Sequence, residues 1–358
     1  MNVRNLTLAK SSNVKPIKHT SQSAIAAVKE LVPRIAARAR ETEQMRRVHP
    51  DTIRELHEAG LMRLMQPARF GGSELWLDDL MNVVFEIGKV CASSAWVYSN
   101  LASHAWNIGQ FELQAQEDVW AKDPDALAAT GLAFPCGKAT PVDGGYRLSG
   151  RWPFCSGINA CTWMLVGAMT EQEGGPPQRR FFLVHEKDFI VYDNWNTYGL
   201  TGTGSHDIEV KDAFVPAHRS VSAEIFAAAI QDYNRGIILG STSTYGKGTV
   251  QRNIGLDKVL GFIEPNSDLG TIKLTLQKFY RINGGSTQLR GVNSDINMPD
   301  IYEYTKIREK DNPESLPWDE VEKTPFDPWK YKLDLIPIKK ASEQRIKGNE
   351  IFNVIQQN

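Results

Sequence analysis

Apolar positions over the first third of the chain recur at helical spacing. Across residues 21–47, Ala, Ile, Leu and Val alternate with Arg and Glu, which predicts an amphipathic helix. "HPDTIRELHEAGLMRLMQP" opens with Pro50 and Asp51, residues suited to a first helical turn, and carries Ile53, Leu56 and Leu61 on its apolar stripe. "ARFGGSELW" reads as a glycine-hinged loop. Leu77 to Phe111 is apolar nearly all round and predicts a buried helical pair. After Asp123 the period changes. "ATGLAFP", "YRLSGRWPF", "TWMLVGAMT", "RRFFLVHE", "FIVYDN" and "HDIEVKDAFVP" are short strand candidates separated by Gly, Pro, Asp and Asn. A helical block followed by an antiparallel β block predicts an α+β fold.

From Ala223 the pattern predicts a helix over "AEIFAAAIQDY" and strands at "RGIILG", "VQRNI" and "GTIKLTLQKFYRI". A charged, proline-rich stretch over 309–331 reads as irregular, and "KKASEQRIKGNEIFNVIQ" as a closing helix.

Composition divides the chain at the same place. Through Ala223, 25 residues are Ala and 9 are Lys; from Glu224 onward, 4 are Ala and 12 are Lys. All seven histidines lie at or before His218. The net charge of −1 gives no field for nucleic acid or an anionic membrane. No run of eighteen apolar residues exists, so no membrane span is expected. Cys91, Cys136, Cys155 and Cys161 have no CxxC spacing, which argues against zinc and for reduced thiols in the cytoplasm. "GSTSTYGKGT" is not a phosphate loop. Five residues separate Gly240 from Gly246 where four are needed, and Gly248 stands where Ser or Thr should bind magnesium.

"ARFGG", "GGYRLSG", "WPFCSGI" and "GLTGTGSHDIEVKDAFVP" together resemble the acyl-CoA dehydrogenase superfamily, in the branch of flavin-dependent aromatic monooxygenases. Residues 1–21 lack an apolar run and read as a disordered leader, and the resemblance implies a helical domain over 22–124 and a β middle domain over 125–222. It implies a reduced flavin cofactor (FAD or FMN), a small aromatic substrate, a partner flavin reductase and a homo-oligomer. Ser156 would stand near flavin N5 with Trp152 and Phe154 beside it, while Thr203 and Ser205 would help hold the flavin. An oxygen-activating flavin needs a hydrogen-bond partner at N5 and exclusion of bulk water, and Ser supplies the first without adding charge. In "SSAWVYSNLASHAW", Trp96 and His104 are eight residues apart, near one helical face, and are the expected substrate contacts. His104 suits proton transfer from a phenol near neutral pH. His49, His57 and His185 read as structural or surface residues.

Residues 223–358 are similar instead to the C-terminal part of tail-specific serine peptidases, through "EIFAAAIQDYNRGIILG", "YGKGTVQ" and "ESLPWD". Lys247 matches the general base of that family's Ser–Lys pair, which needs no histidine. The nucleophile belongs three residues before Glu224, where Val221 stands with Ser220 and Ser222 on either side. The resemblance therefore implies an inactive peptidase fragment, limited at most to peptide binding. The chain reads as a fusion of two partial proteins.

Overall fold

The computed structural model describes residues 17–172, 175–256, 271–301, 303, 305, 308–326 and 334–357. Most of the expected leader, residues 1–16, lies outside them. The chain divides into two compact units, Met1–Val221 and Ser222–Asn358.

In the first unit, α1 (Ser21–Met45) starts at Thr20, whose Oγ1 accepts the Ser23 amide while Ser23 Oγ accepts the Thr20 amide. It ends where Arg46 turns left-handed. His49 Nδ1 accepts the Asp51 amide and caps α2 (Pro50–Glu58), with Pro50 fitting the first turn because its missing N–H would have no partner there. α3 (Leu77–Gly88) and α4 (Ala92–Ile108) form the buried pair, followed by α5 (Leu113–Trp120). Ala24, Val28, Leu31 and Ile35 line one face of α1, and all four are buried in the core with Leu80, Val83 and Ile87 of α3.

The β block is one mixed eight-stranded sheet. Its path is β6 (Ile190–Tyr192), β7 (His206–Pro216), β3 (Gly145–Cys155), β2 (Gly137–Val142), β4 (Trp163–Gln172), β5 (Gly175–His185) and β8 (Ser220–Ser222). The pairing corrects the expectation of a purely antiparallel sheet. β1 (Ala128–Gly131) and β2 both run parallel to β4, at Ala128–Trp163 and again at Lys138–Met169. The 3-10 turn Phe134–Cys136 interrupts what is in effect one strand direction along β4. β2 escaped the pattern reading because only Gly137 and Ala139 of its six residues are buried.

Two bulges shape β3. Opposite β7 the register slips between Leu148 and Gly150, where Asp212 has φ 47°, and again between Trp152 and Cys155, where Phe154 has φ 61°. An extra residue in one strand re-aims its neighbours, and here it turns Phe154 outward and Cys155 inward. The last residues of the first unit are held within it. His218 and Arg219 both bind Asp118, at 2.7 and 2.6 Å, and Ser220 Oγ accepts from Arg180 Nε at 2.9 Å.

The second unit begins with α6 (Ala223–Asp232), capped by Ser222 Oγ, which accepts the Ile225 amide. β9 (Leu239–Gly240) pairs in parallel with β12 (Ile296–Asn297), and β10 (Thr249–Gly255) pairs antiparallel with β11 (Thr271–Lys278). The expected strand at "RGIILG" is thus reduced to two residues. The closing helix is two, α7 (Leu335–Lys347) and α8 (Glu350–Gln357), split at Gly348. Arg281 spans both carboxylate oxygens of Asp232 at 3.0 Å and ties α6 to the loop after β11. Among the described residues no helix is long and apolar enough to cross a membrane.

Candidate functional site

The far bulge of β3 delivers Ser156 to the surface between α4 and the loop that precedes β7. Trp96 Nε1 of α4 donates to Ser156 Oγ at 3.1 Å. Ser156 Oγ lies 2.8 Å from Ser205 Oγ, which lies 2.7 Å from Thr203 Oγ1. Thr203 Oγ1 donates in turn to the Leu200 carbonyl at 2.9 Å. A carbonyl can only accept, so this last bond fixes the direction of the row. Ser205 donates to Thr203 and Ser156 donates to Ser205. Ser156 Oγ therefore accepts from Trp96, donates to Ser205 and keeps a second acceptor lone pair.

The loop carrying the row is folded back on itself. Leu200 and Gly204 are left-handed around the 3-10 turn Thr201–Thr203. The Gly157 amide donates to the Thr203 carbonyl at 3.0 Å, joining this loop to the Ser156 segment. Aromatic and apolar side chains stand exposed around it. Trp96 and Phe154 keep half or more of their surface, Leu200 is exposed, and Phe154 meets Trp195 edge-on with ring centroids 5.9 Å apart. A bulky residue held at positive φ is strained, and such strain concentrates at sites built for a ligand.

Two expected site residues are buried. Trp152 is wholly buried: its indole N–H donates to the Gly167 carbonyl at 2.8 Å, and its ring packs against backbone at three glycines. A Cβ added at Gly131, Gly137 or Gly150 would fall 2.6, 2.3 or 2.8 Å from Trp152 atoms. Its side chain is a strut of the sheet and presents no surface to a ring. His104 is buried as well. Its Nδ1 donates to the Ala128 carbonyl at 2.8 Å, and its Nε2 accepts from Thr130 Oγ1 at 3.3 Å. Eight residues at about 100° each leave Trp96 and His104 about 80° apart around the helix, so Trp96 reaches Ser156 while His104 turns to β1. Burial lowers the His104 imidazole to about 4, against the pull of the Ala128 carbonyl, and it stands neutral at pH 7. Burial pushes the Cys155 thiol up to about 12, which removes it as a nucleophile.

In the second unit Lys247 lies between two anchored amides. The Gly246 N–H donates to the buried Glu224 carboxylate at 2.9 Å, and the Gly248 N–H donates to Gln288 Oε1 at 2.8 Å. Gln288 is itself buried and donates to Glu309 Oε1 at 2.9 Å. The hydroxyls beside the expected nucleophile position are committed to structure, Ser220 to Arg180 and Ser222 to the α6 cap, and Val221 is buried.

Sequence spacing alone did not single out Glu43, whose carboxylate joins the site to α1. Oε2 accepts the Gly202 amide at 2.9 Å and Oε1 accepts from Ser93 Oγ.

Comparison with known proteins finds different families toward the two ends of the chain. Residues 20–122 match the acyl-CoA dehydrogenase N-terminal domain. Residues 214–298 match peptidase family S41, and residues 302–358 match the C-terminal domain of tail specific protease (DUF3340). The oxygenase subunit HsaA of a flavin-dependent monooxygenase from Rhodococcus jostii is 38% identical over 192 residues, 54% of this chain and 50% of that protein. The solved structure of XiaF from Streptomyces sp. in complex with FADH2 and glycerol is similar at a TM-score of 0.56 and 29% identity, over 60% of this chain and 54% of that one. A tail-specific protease from Haemophilus influenzae is 49% identical over 100 residues, 28% of this chain and 14% of that protein. The chain thus spans about half the length of the monooxygenases it matches and a small part of the peptidase. It joins a segment that matches the acyl-CoA dehydrogenase N-terminal domain, within a longer stretch similar to flavin-dependent monooxygenases, to segments that match peptidase family S41 and the tail specific protease C-terminal domain.

Proposed function

We propose that the first unit binds a reduced flavin, FAD or FMN, and is the oxygenase part of a two-component aromatic hydroxylase supplied by a flavin reductase. The observation that carries this reading is the directed row Trp96–Ser156–Ser205–Thr203 set in an exposed aromatic surface. The donor set fits the group. A reduced isoalloxazine is flat and apolar on its faces and carries an N–H at N5, and Ser156 offers an uncharged acceptor with Phe154 beside it. When bound, the flavin supplies activated oxygen. The chain's own residues orient and shield it: Ser156 takes the N5 proton as a hydrogen bond, Thr203 and Ser205 hold Ser156 in that orientation, and Trp96 covers one side.

His104 is the residue proposed to act on the substrate. Its tautomer is fixed by the Ala128 carbonyl, so Nε2 carries the lone pair that a phenol proton would meet. Displacing the long Thr130 bond frees that atom. We place Lys247 as a remnant of a peptidase pair without its nucleophile, because Ser220 and Ser222 are already bonded. A fluorophosphonate label should leave the chain unmodified.

The test is anaerobic titration of the purified chain with reduced FAD and FMN. Binding is expected, and Ser156→Ala should weaken it about tenfold, the value of one lost hydrogen bond near 1.4 kcal/mol. A protein that takes up neither flavin ends this reading.

A further inference from the structure

We infer that Glu43 is a positioning residue that sets the separation of Trp96 from the Ser156–Ser205–Thr203 row. The consequence for flavin rests on the proposed function; the geometry does not. Glu43 occupies the last turns of α1 and is half-buried. Its two oxygens reach different elements. Oε1 takes the hydroxyl proton of Ser93, a residue with no exposed surface that lies three positions before Trp96 on α4. Residues three apart are neighbours on one helix face, so holding Ser93 holds the turn that carries the indole. Oε2 takes the backbone N–H of Gly202, the middle of the turn Thr201–Thr203.

The approach at Gly202 is close. A Cβ there would lie 2.6 Å from Thr42 Cγ2 and 3.0 Å from both Glu43 Oε1 and the Thr42 carbonyl. The loop therefore sits directly on α1, and only glycine fits. One carboxylate thus clamps both ends of the hydrogen-bonded row: the helix that donates at Trp96, and the loop that receives at Thr203. Among the described residues Glu43 makes no ion pair, so its charge is spent on these two donors. Charge-assisted hydrogen bonds of this kind are about twice as strong as neutral ones and hold geometry accordingly.

Glutamine preserves the clamp. Its carbonyl accepts the Gly202 N–H, and its amide donates to Ser93 Oγ, which accepts as readily as it donates. Alanine removes both contacts. The experiment is hydrogen exchange read by mass spectrometry on the flavin-free chain, followed by anaerobic titration with reduced FAD. Glu43→Ala should speed exchange over residues 199–205 at least tenfold while β4 and β5 stay protected. It should also weaken reduced FAD about tenfold, and Glu43→Gln should stay within about twofold of the parent in both. If Glu43→Ala loosens the whole unit, Ser93→Ala decides, with faster exchange expected in the α4 turn around Trp96 alone. Unchanged exchange over 199–205 in Glu43→Ala overturns the clamp. A loosened loop with unchanged reduced FAD affinity overturns the positioning role. A parent chain that takes up no flavin overturns the proposed function, and the exchange arm still decides the clamp.

Discussion

Replacing Trp152 by alanine should destabilise the first unit by about 3–5 kcal/mol, the usual cost of emptying a buried tryptophan site. The side chain has no exposed surface and belongs to the continuous core of that unit. Its surroundings resist collapse. Gly131, Gly137 and Gly150 sit in or beside paired strands, so the walls facing the ring are backbone that cannot move in without breaking ladder bonds. Deletion also orphans the Gly167 carbonyl, which receives the indole N–H, and a buried unpaired acceptor adds its own cost. Urea unfolding followed by circular dichroism measures the loss. Any drop in flavin uptake should follow the unfolded fraction. A variant that stays folded with a loss below about 1 kcal/mol, yet binds flavin much more weakly, would return Trp152 to the cofactor site.

That residue shows where sequence reading stopped. The segment "GGYRLSGRWPFCSG" marks a site, but alternation cannot say which of Trp152, Phe154 and Ser156 faces outward, because one extra residue opposite β7 reverses the faces between Trp152 and Cys155. The bulge has no glycine to announce it; Phe154 takes the left-handed conformation itself. Ser156, Ser205, Thr203 and Trp96 were legible as motif positions, and the structure brings them into one hydrogen-bonded row across separations of 49 and 60 residues. Glu43 was not legible. Its partners are 50 and 159 residues away, and a glutamate near the end of an amphipathic helix looks like solvated surface. β2 was missed for the opposite reason: it is a strand whose neighbours, not its own residues, bury the sheet. The division of the chain was plain in composition, since alanine and histidine give out within a few residues of Val221, where the two units separate.

Glu224→Gln should stabilise the second unit at pH 8 and leave it nearly unchanged at pH 4. Burial pushes the Glu224 carboxyl up to about 7, with the Gly246 amide only partly offsetting it. In the unfolded chain the same group titrates near 4.3. Between these values the folded state holds a proton that the unfolded state has released, so stability falls as pH rises through that window and is flat on either side. The difference is on the order of 3 kcal/mol by pH 8. The Thr244 and Thr287 hydroxyls lie beside the carboxyl and, like the Gly246 amide, favour its ionised form, but burial outweighs them. Glutamine cannot ionise. Its carbonyl keeps the Gly246 N–H and the loop that carries Lys247, and its amide supplies a donor to the threonine-lined interior. Thermal unfolding of parent and variant, taken from pH 4 to 8, isolates the term because every other titrating group is common to both. The parent midpoint should fall across the window while the variant's falls less, and the two curves should separate from pH 5 upward. Parallel curves would show that Glu224 is neutralised by a group other than a proton, and would sink the assignment.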